Sequence, residues 1–159
     1  MTITPRIMMR RRRMVYEQEH IDRARALLAA IERGPTAQDL ETAPLLDLWQ
    51  AAVAQSTGLP FLWGCAAGHP LLRNGWIHTS PLIALGTDLG WARTRSRWYR
   101  LGTPLNEVEE KFSAHFEAKG PGWHYIPASL SDHAMPIAGE RLHSSLAEVR
   151  ALLEGVIAE

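Results

Sequence analysis

The spacing of apolar positions changes period twice along this chain. From about Tyr16 to Arg33, Ile21, Ala24, Leu28 and Ile31 recur at 3-4-3 spacing, which places them on one stripe of an α-helix. Glu19 and Arg23 sit four apart in the order that supports a helix, and Gly34-Pro35 supplies its stop. Thr36 to Thr42 adds a short helical turn, and the apolar segment Leu45 to Val53 that follows Pro44 is expected to be helical as well. Then the pattern shifts. Pro60 to Ala67, Trp76 to Leu85 and Trp91 to Leu101 are short runs of aromatic, β-branched or alternating residues. Turn chemistry separates them: Gly68-His69-Pro70, Asn74-Gly75 and the stretch from Gly86 to Gly90. Strands joined this closely predict an antiparallel meander, because parallel neighbours need a long crossover.

The helical period returns near the end. Thr103 is a candidate cap and Pro104 suits the first helical position, with Leu105, Val108, Phe112 and Phe116 as the inward stripe up to Gly120. Ser145 and Glu148 make an S-x-x-E capping box ahead of a stripe of Leu146, Val149, Leu153 and Val156. Between these helices, Pro121 to Ser144 is expected to be a long loop carrying Pro121, Pro127 and Pro136. Loops of that length are uncommon without a function. The prediction is an α+β fold, a small three-stranded antiparallel meander packed with N-terminal and C-terminal helices. Residues 1–13, with Arg10 to Arg13, form a basic arm ahead of one domain spanning 14–159.

A chain of 159 residues suits one domain that buries about two thirds of its unfolded surface. Lys+Arg and Asp+Glu number 17 each, so any electrostatic recognition must come from a local patch. The single cysteine, Cys65, rules out an intramolecular disulfide. No apolar run reaches the roughly 20 residues of a membrane span, and no apolar stretch after the arginine run marks a secretory signal. A cytoplasmic location is the expectation. Six of the twelve aromatics are Trp, and Trp63, Trp76, Trp91 and Trp98 crowd one region as expected anchors of the core.

Catalytic and metal signatures are weak. The seven histidines are His20, His69, His78, His115, His124, His133 and His143, and no two stand closer than nine residues. Helical metal pairs need i, i+3 or i, i+4 spacing, so no metal site or cofactor is predicted. Neither a G-x-S-x-G elbow nor a phosphate-cradling P-loop is present. Cys65 with His69 reads as a small buried hydrophobe beside a turn rather than a thiol pair. Ser131-Asp132-His133 cannot act as a triad, since adjacent residues do not converge on one reacting atom.

The run Trp91 to Leu101 is the most informative. Read as one strand, it puts Arg93, Arg95, Arg97 and Tyr99 on one face and Ala92, Thr94, Ser96 and Trp98 on the other. Burying three arginines is prohibitive, so the second face must point inward. Ile83 then pairs with Ala92 and Ile77 with Trp98 across a loop from Gly86 to Leu89, with Pro81 as the place where a bulge would invert the parity. In that register Trp76 and His78 stand beside the arginines. The candidate surface for nucleic acid or a protein partner is therefore Trp76, His78, Arg93, Arg95, Arg97 and Tyr99. Arginines at intervals of about 6.7 Å suit successive phosphates, and rings beside them suit bases. The plainer alternative is a solvated face on which arginine stems cover the rings.

Several of these motifs also form a known pattern. Gly68-His69-Pro70, Thr79-Ser80-Pro81-Leu82, Gly90-Trp91-Ala92-Arg93-Thr94 and Ser96 to Gly102 resemble a family of small bacterial proteins of unknown function, over about residues 60–104. The resemblance implies a bacterial, cytoplasmic protein and no particular activity. The sequence thus favours a non-enzymatic binding module acting on nucleic acid or a nucleic-acid-associated protein. The alternative is a small metal-dependent enzyme using histidines of the 121–144 loop with His69 or His78.

Overall fold

The computed structural model describes residues 5–86, 88–111 and 133–158. The first helix, α1 (Pro5–Arg33), begins upstream of the Tyr16 start that its apolar stripe suggests. It stops as expected: Gly34 takes φ 77° and its N–H reaches the carbonyl of Ala30 at 3.0 Å. A short helix, α2 (Ala37–Thr42), follows behind a reciprocal cap in which Thr36 and Asp39 each accept from the other's backbone N–H, at 3.0 and 2.9 Å.

The segment after Pro44 is not a helix. It is β1 (Leu45–Ala54), the central strand of the sheet. A short apolar run does not distinguish a buried helix from a strand covered on both faces, and this strand is covered on both. β2 (Pro60–Ala67) runs antiparallel along one edge of β1. The other edge is divided: β6 (Trp98–Leu101) pairs in parallel with Leu45 and Leu46, and β7 (Ala134–Pro136) pairs antiparallel with Ala52 to Ala54. Between these two stretches β1 carries a bulge, stepping from the Asp47–Cys65 pair to the Gln50–Trp63 pair, with Leu48 at φ 50°. The extra residue reverses side-chain parity, so Leu46 before it and Trp49 and Ala51 after it all enter one core.

β3 (Gly75–His78), β4 (Leu82–Leu85) and β5 (Trp91–Thr94) complete a mixed seven-stranded sheet of order β3-β2-β1-β6-β5-β4, with β7 on β1. This replaces the three-stranded meander, while the α+β class stands. The run expected to be one strand from Trp76 to Leu85 breaks at Thr79–Pro81, and its halves join opposite ends of the sheet. His78 and Leu82 are four residues apart and at most about 14 Å. Six flat strands would hold their edges about 24 Å apart. The sheet must therefore curl, and β4 comes against β2. Hydrogen bonds fix the corner: Thr79 N–H donates to the Leu62 carbonyl at 2.8 Å, and Leu62 N–H to the Thr79 hydroxyl at 3.0 Å.

Curling gives the sheet an inside. Leu46, Trp49, Leu62, Leu82, Ala92 and Tyr99 are buried there, and α4 (Gly139–Ala158) closes it with Leu142 and Leu146. On the other face Ala52, Phe61, Trp63 and Ala134 pack beneath Leu105 of α3 (Leu105–Lys111). Helix α4 starts six residues before Ser145, so the S-x-x-E pattern lies inside a helix and is not its cap. Of the stripe it was meant to introduce, Val149 is buried and Leu146 and Leu153 are half-buried, whereas Val156 is exposed; Leu142, one turn earlier, is the other buried residue of this helix. β7 and the first turn of α4 also occupy part of the span expected to be loop. Among the described residues no helix is long and apolar enough to cross a membrane.

Candidate functional site

The predicted arginine strand is a hairpin. Thr94 N–H donates to the Arg97 carbonyl at 2.9 Å, closing a two-residue turn at Arg95-Ser96. Neither turn residue has positive φ, so this is not the primed turn that hairpins favour. The buried Thr94 hydroxyl compensates by accepting from Ser96 N–H at 3.3 Å and Arg97 N–H at 3.2 Å. Pro81 and Ser80 hold the turn from the sheet corner, accepting from Arg95 N–H at 2.9 Å and Ser96 N–H at 3.2 Å.

Reversal of the chain here changes which residues share a face. Arg93 lies directly opposite Trp98, and Ala92 opposite Tyr99. Ala92 and Thr94 point inward as expected, but Tyr99 joins them in the core and Trp98 stands on the arginine side. The Ile83–Ala92 and Ile77–Trp98 pairs are replaced by Leu85–Ala92 and Ile77–Gly64, with an irregularity at Ile83. Ile83 and Trp98 are nonetheless buried, and Arg95 is exposed. Trp76 and His78 are on β3 at the far side of the sheet order, where Trp76 leans on Trp63 at 5.4 Å and His78 meets Phe61 edge-on at 6.3 Å. The six predicted residues do not form one face.

What the structure does bring together is a cleft of about 390 Å³ between α2 and the hairpin. Arg93, Ser96, Arg97 and Trp98 form one wall, and Asp39, Thr42, Ala43 and Pro44 the other, with Pro70 at the margin. The Arg93 guanidinium lies over the Trp98 ring at 5.2 Å, and Trp91 packs edge-on against the same ring at 5.4 Å. Arg93 Nε is buried without a hydrogen-bond partner. No carboxylate among the described residues makes an ion pair with Arg93, Arg95 or Arg97. The one acidic residue lining the cleft, Asp39, is engaged in the α2 cap and pairs with Arg33 at 3.3 Å.

Charge effects agree with this arrangement. The backbone N–H of Thr36, followed by its hydroxyl, holds the Asp39 carboxyl below its ordinary value, and the charges of Arg33 and Arg93 add to the effect. Burial lowers the pKa of Arg93, Arg33 lowers it further, and Asp39 opposes both. Burial, and then Arg97, also lowers His69. The Nδ1 of His69 accepts from the N–H groups of Leu71 and Leu72 at 3.1 Å each, which assigns the neutral-ring proton to Nε2.

Arg33, Asp39 and Thr42 were not singled out by the sequence, although the Thr36-x-x-Asp39 spacing marks the cap that fixes this wall. Cys65, expected to be buried, is half-buried on β2 between Asp47 and Trp76. Among the described residues no three His, Cys, Asp or Glu side chains lie close enough to hold a metal. His115 and His124 fall outside the described residues, as do residues 121–132 of the 121–144 span on which the enzyme alternative depends. No curated protein and no solved structure matches the chain. A family model does match residues 14–142, well beyond the 60–104 stretch that carries the motif resemblance, and the chain accordingly belongs to DUF6634, a family of unknown function.

Proposed function

We propose that this protein is a non-enzymatic binding module that takes the phosphate backbone of a nucleic acid into the cleft between α2 and the β5–β6 hairpin. The observation that carries this is the Arg93 guanidinium, partly buried, with Nε unpartnered and no carboxylate paired to it among the described residues. A partly desolvated cation whose nearest carboxylate, Asp39, is already engaged by Arg33 and the α2 cap is costly, and contact with the Trp98 ring offsets only part of that. A phosphate oxygen would supply the missing acceptor and a directly paired charge, in the fork geometry that guanidinium groups favour. Arg97 lines the same cleft and Arg95 stands at the exposed tip of the turn, so a strand entering at Arg93 would continue past both. Trp76 and His78 would lie outside this path.

The test is binding of labelled single- and double-stranded DNA and RNA oligonucleotides, followed by fluorescence anisotropy as salt is raised from about 50 mM. Affinity should fall steeply with salt. Arg93→Ala and Arg97→Ala should each weaken binding and flatten the logarithmic salt slope by about one unit. Trp76→Ala should leave both unchanged. A wild-type protein that binds none of these oligonucleotides at the lowest salt would overturn the proposal.

A further inference from the structure

We infer that a second cavity, sharing no lining residue with the arginine cleft, binds a small apolar molecule that is uncharged or carries a cationic head. It opens at the divided edge of β1, where β6 has left after Leu101 and β7 has yet to join at Ala52. In that interval the backbone pairing among the described residues is reduced to a bridge from Trp49 to Pro104 and the Ile137 N–H to Ala51 carbonyl bond. The gap is roofed by α3 and α4 and has a volume of about 500 Å³, within the range of pockets that enclose small organic ligands.

Its walls are mainly apolar, built from Trp49, Leu85, Leu89, Ile137, Leu142 and Leu146. Trp49 donates its indole N–H to the Gly102 carbonyl at 3.1 Å, which leaves no donor on that ring for a ligand. Leu89 is a second, independent sign. It is held at φ 56° by its N–H to the Gly86 carbonyl, 2.9 Å, and remains 44% exposed. A bulky residue in the left-handed region is a genuine outlier, and such outliers cluster at ligand-binding sites. An apolar side chain kept in that state at the wall of an open cavity is accounted for by a ligand that covers it.

Polar groups at the cavity set the sign of the ligand. Asn106 and Glu107 come from α3 and His143 from α4, and no lysine or arginine lines it. An anionic ligand would face Glu107 with no lysine or arginine to offset it, whereas a neutral or cationic one would meet no such repulsion.

A matched pair of fluorescent probes tests this on the full chain: N-phenyl-1-naphthylamine, and the same ring system bearing a sulfonate, 1-anilinonaphthalene-8-sulfonate. The neutral probe should give saturable enhancement at one site per chain. Ala138→Trp, which fills the mouth from an exposed position, should weaken it at least tenfold. The sulfonate should bind this site at least tenfold more weakly than the neutral probe, measured in an Arg93→Ala/Arg97→Ala background that removes the anion cleft. Should Ala138→Trp fail to fold, nuclear Overhauser effects from the neutral probe to Leu89, Leu142 and Leu146 methyls in the wild type locate the site without a variant. Absence of saturable binding by the neutral probe, or binding with no contact to those methyls, would overturn the inference. Equal affinity for the sulfonate at this site would overturn the assignment of charge.

Discussion

Thr94 shows how one buried hydroxyl places two arginines. It accepts from the Ser96 and Arg97 amides, donates to the Arg97 carbonyl at 3.2 Å, and is fully buried. Thr94→Val keeps the shape and removes these partners, leaving the buried turn under-satisfied at a cost of about 1–3 kcal/mol. Thr94→Ser should recover most of that in urea denaturation, and anion binding should follow the same order. Equal stability of the Val and Ser variants would show that the hydroxyl does not hold the turn. Asp39 gives a pH test. Its folded-state pKa lies below the ordinary 3.8, so the unfolded chain takes up its proton first as pH falls. The stability Asp39 contributes is therefore fully present well above 3.8 and is lost as pH drops through its lower folded value. The stability difference between wild type and Asp39→Asn should be constant near neutrality and shrink in acid. A difference that grows on acidification would contradict the sign.

At the scale of elements, the bulge in β1 and the strand after it depend on a close approach that the sequence does not advertise. Asp47 Oδ1 accepts from the N–H groups of Leu48 at 3.0 Å and Thr103 at 2.8 Å, and a Cβ on Gly102 would lie 2.5 Å from the same oxygen. Gly102→Ala should therefore destabilise by about 1–3 kcal/mol. In the Asp47→Ala background it should cost markedly less, since the two residues compete for one space. Additive losses in a double-mutant cycle would refute the clash. Helix α4 supplies a converse case. Because Ser145 lies inside it, Ser145→Ala should change stability by no more than about 0.5 kcal/mol, against about 1 for a true cap. These elements also show what was legible. α1 with its Gly34 stop and β2 were readable because local chemistry decides them. β1 was not, because burial on both faces removes the polar alternation that identifies a strand. The split of Trp91 to Leu101 was hidden because Arg95-Ser96 contains no Gly, Pro, Asn or Asp, and the stabilising hydroxyl belongs to Thr94, a residue that also suits a strand.

For the whole molecule, the break at Thr79–Pro81 separates what the linear pattern placed together, and the parallel pairing of β1 with β6 joins what it kept apart. Trp76 and His78 are parted from the arginines because three residues at Thr79–Pro81 carry the chain from one sheet edge to the other. The cleft instead unites residues 39–44 with residues 93–98, and no periodicity links segments so distant in sequence. The arginines were visible from composition alone, but their shared wall was not. The role proposed for Arg93 and Arg97 is to act together, in one cleft, on a phosphate backbone. Its most direct measurement is the salt dependence of oligonucleotide affinity for wild type, Arg93→Ala, Arg97→Ala and the double variant. A steep wild-type slope, flattened by about one unit in each single variant and about two in the double, is the predicted result. Absence of wild-type binding at low salt, or a slope that neither substitution changes, would contradict it.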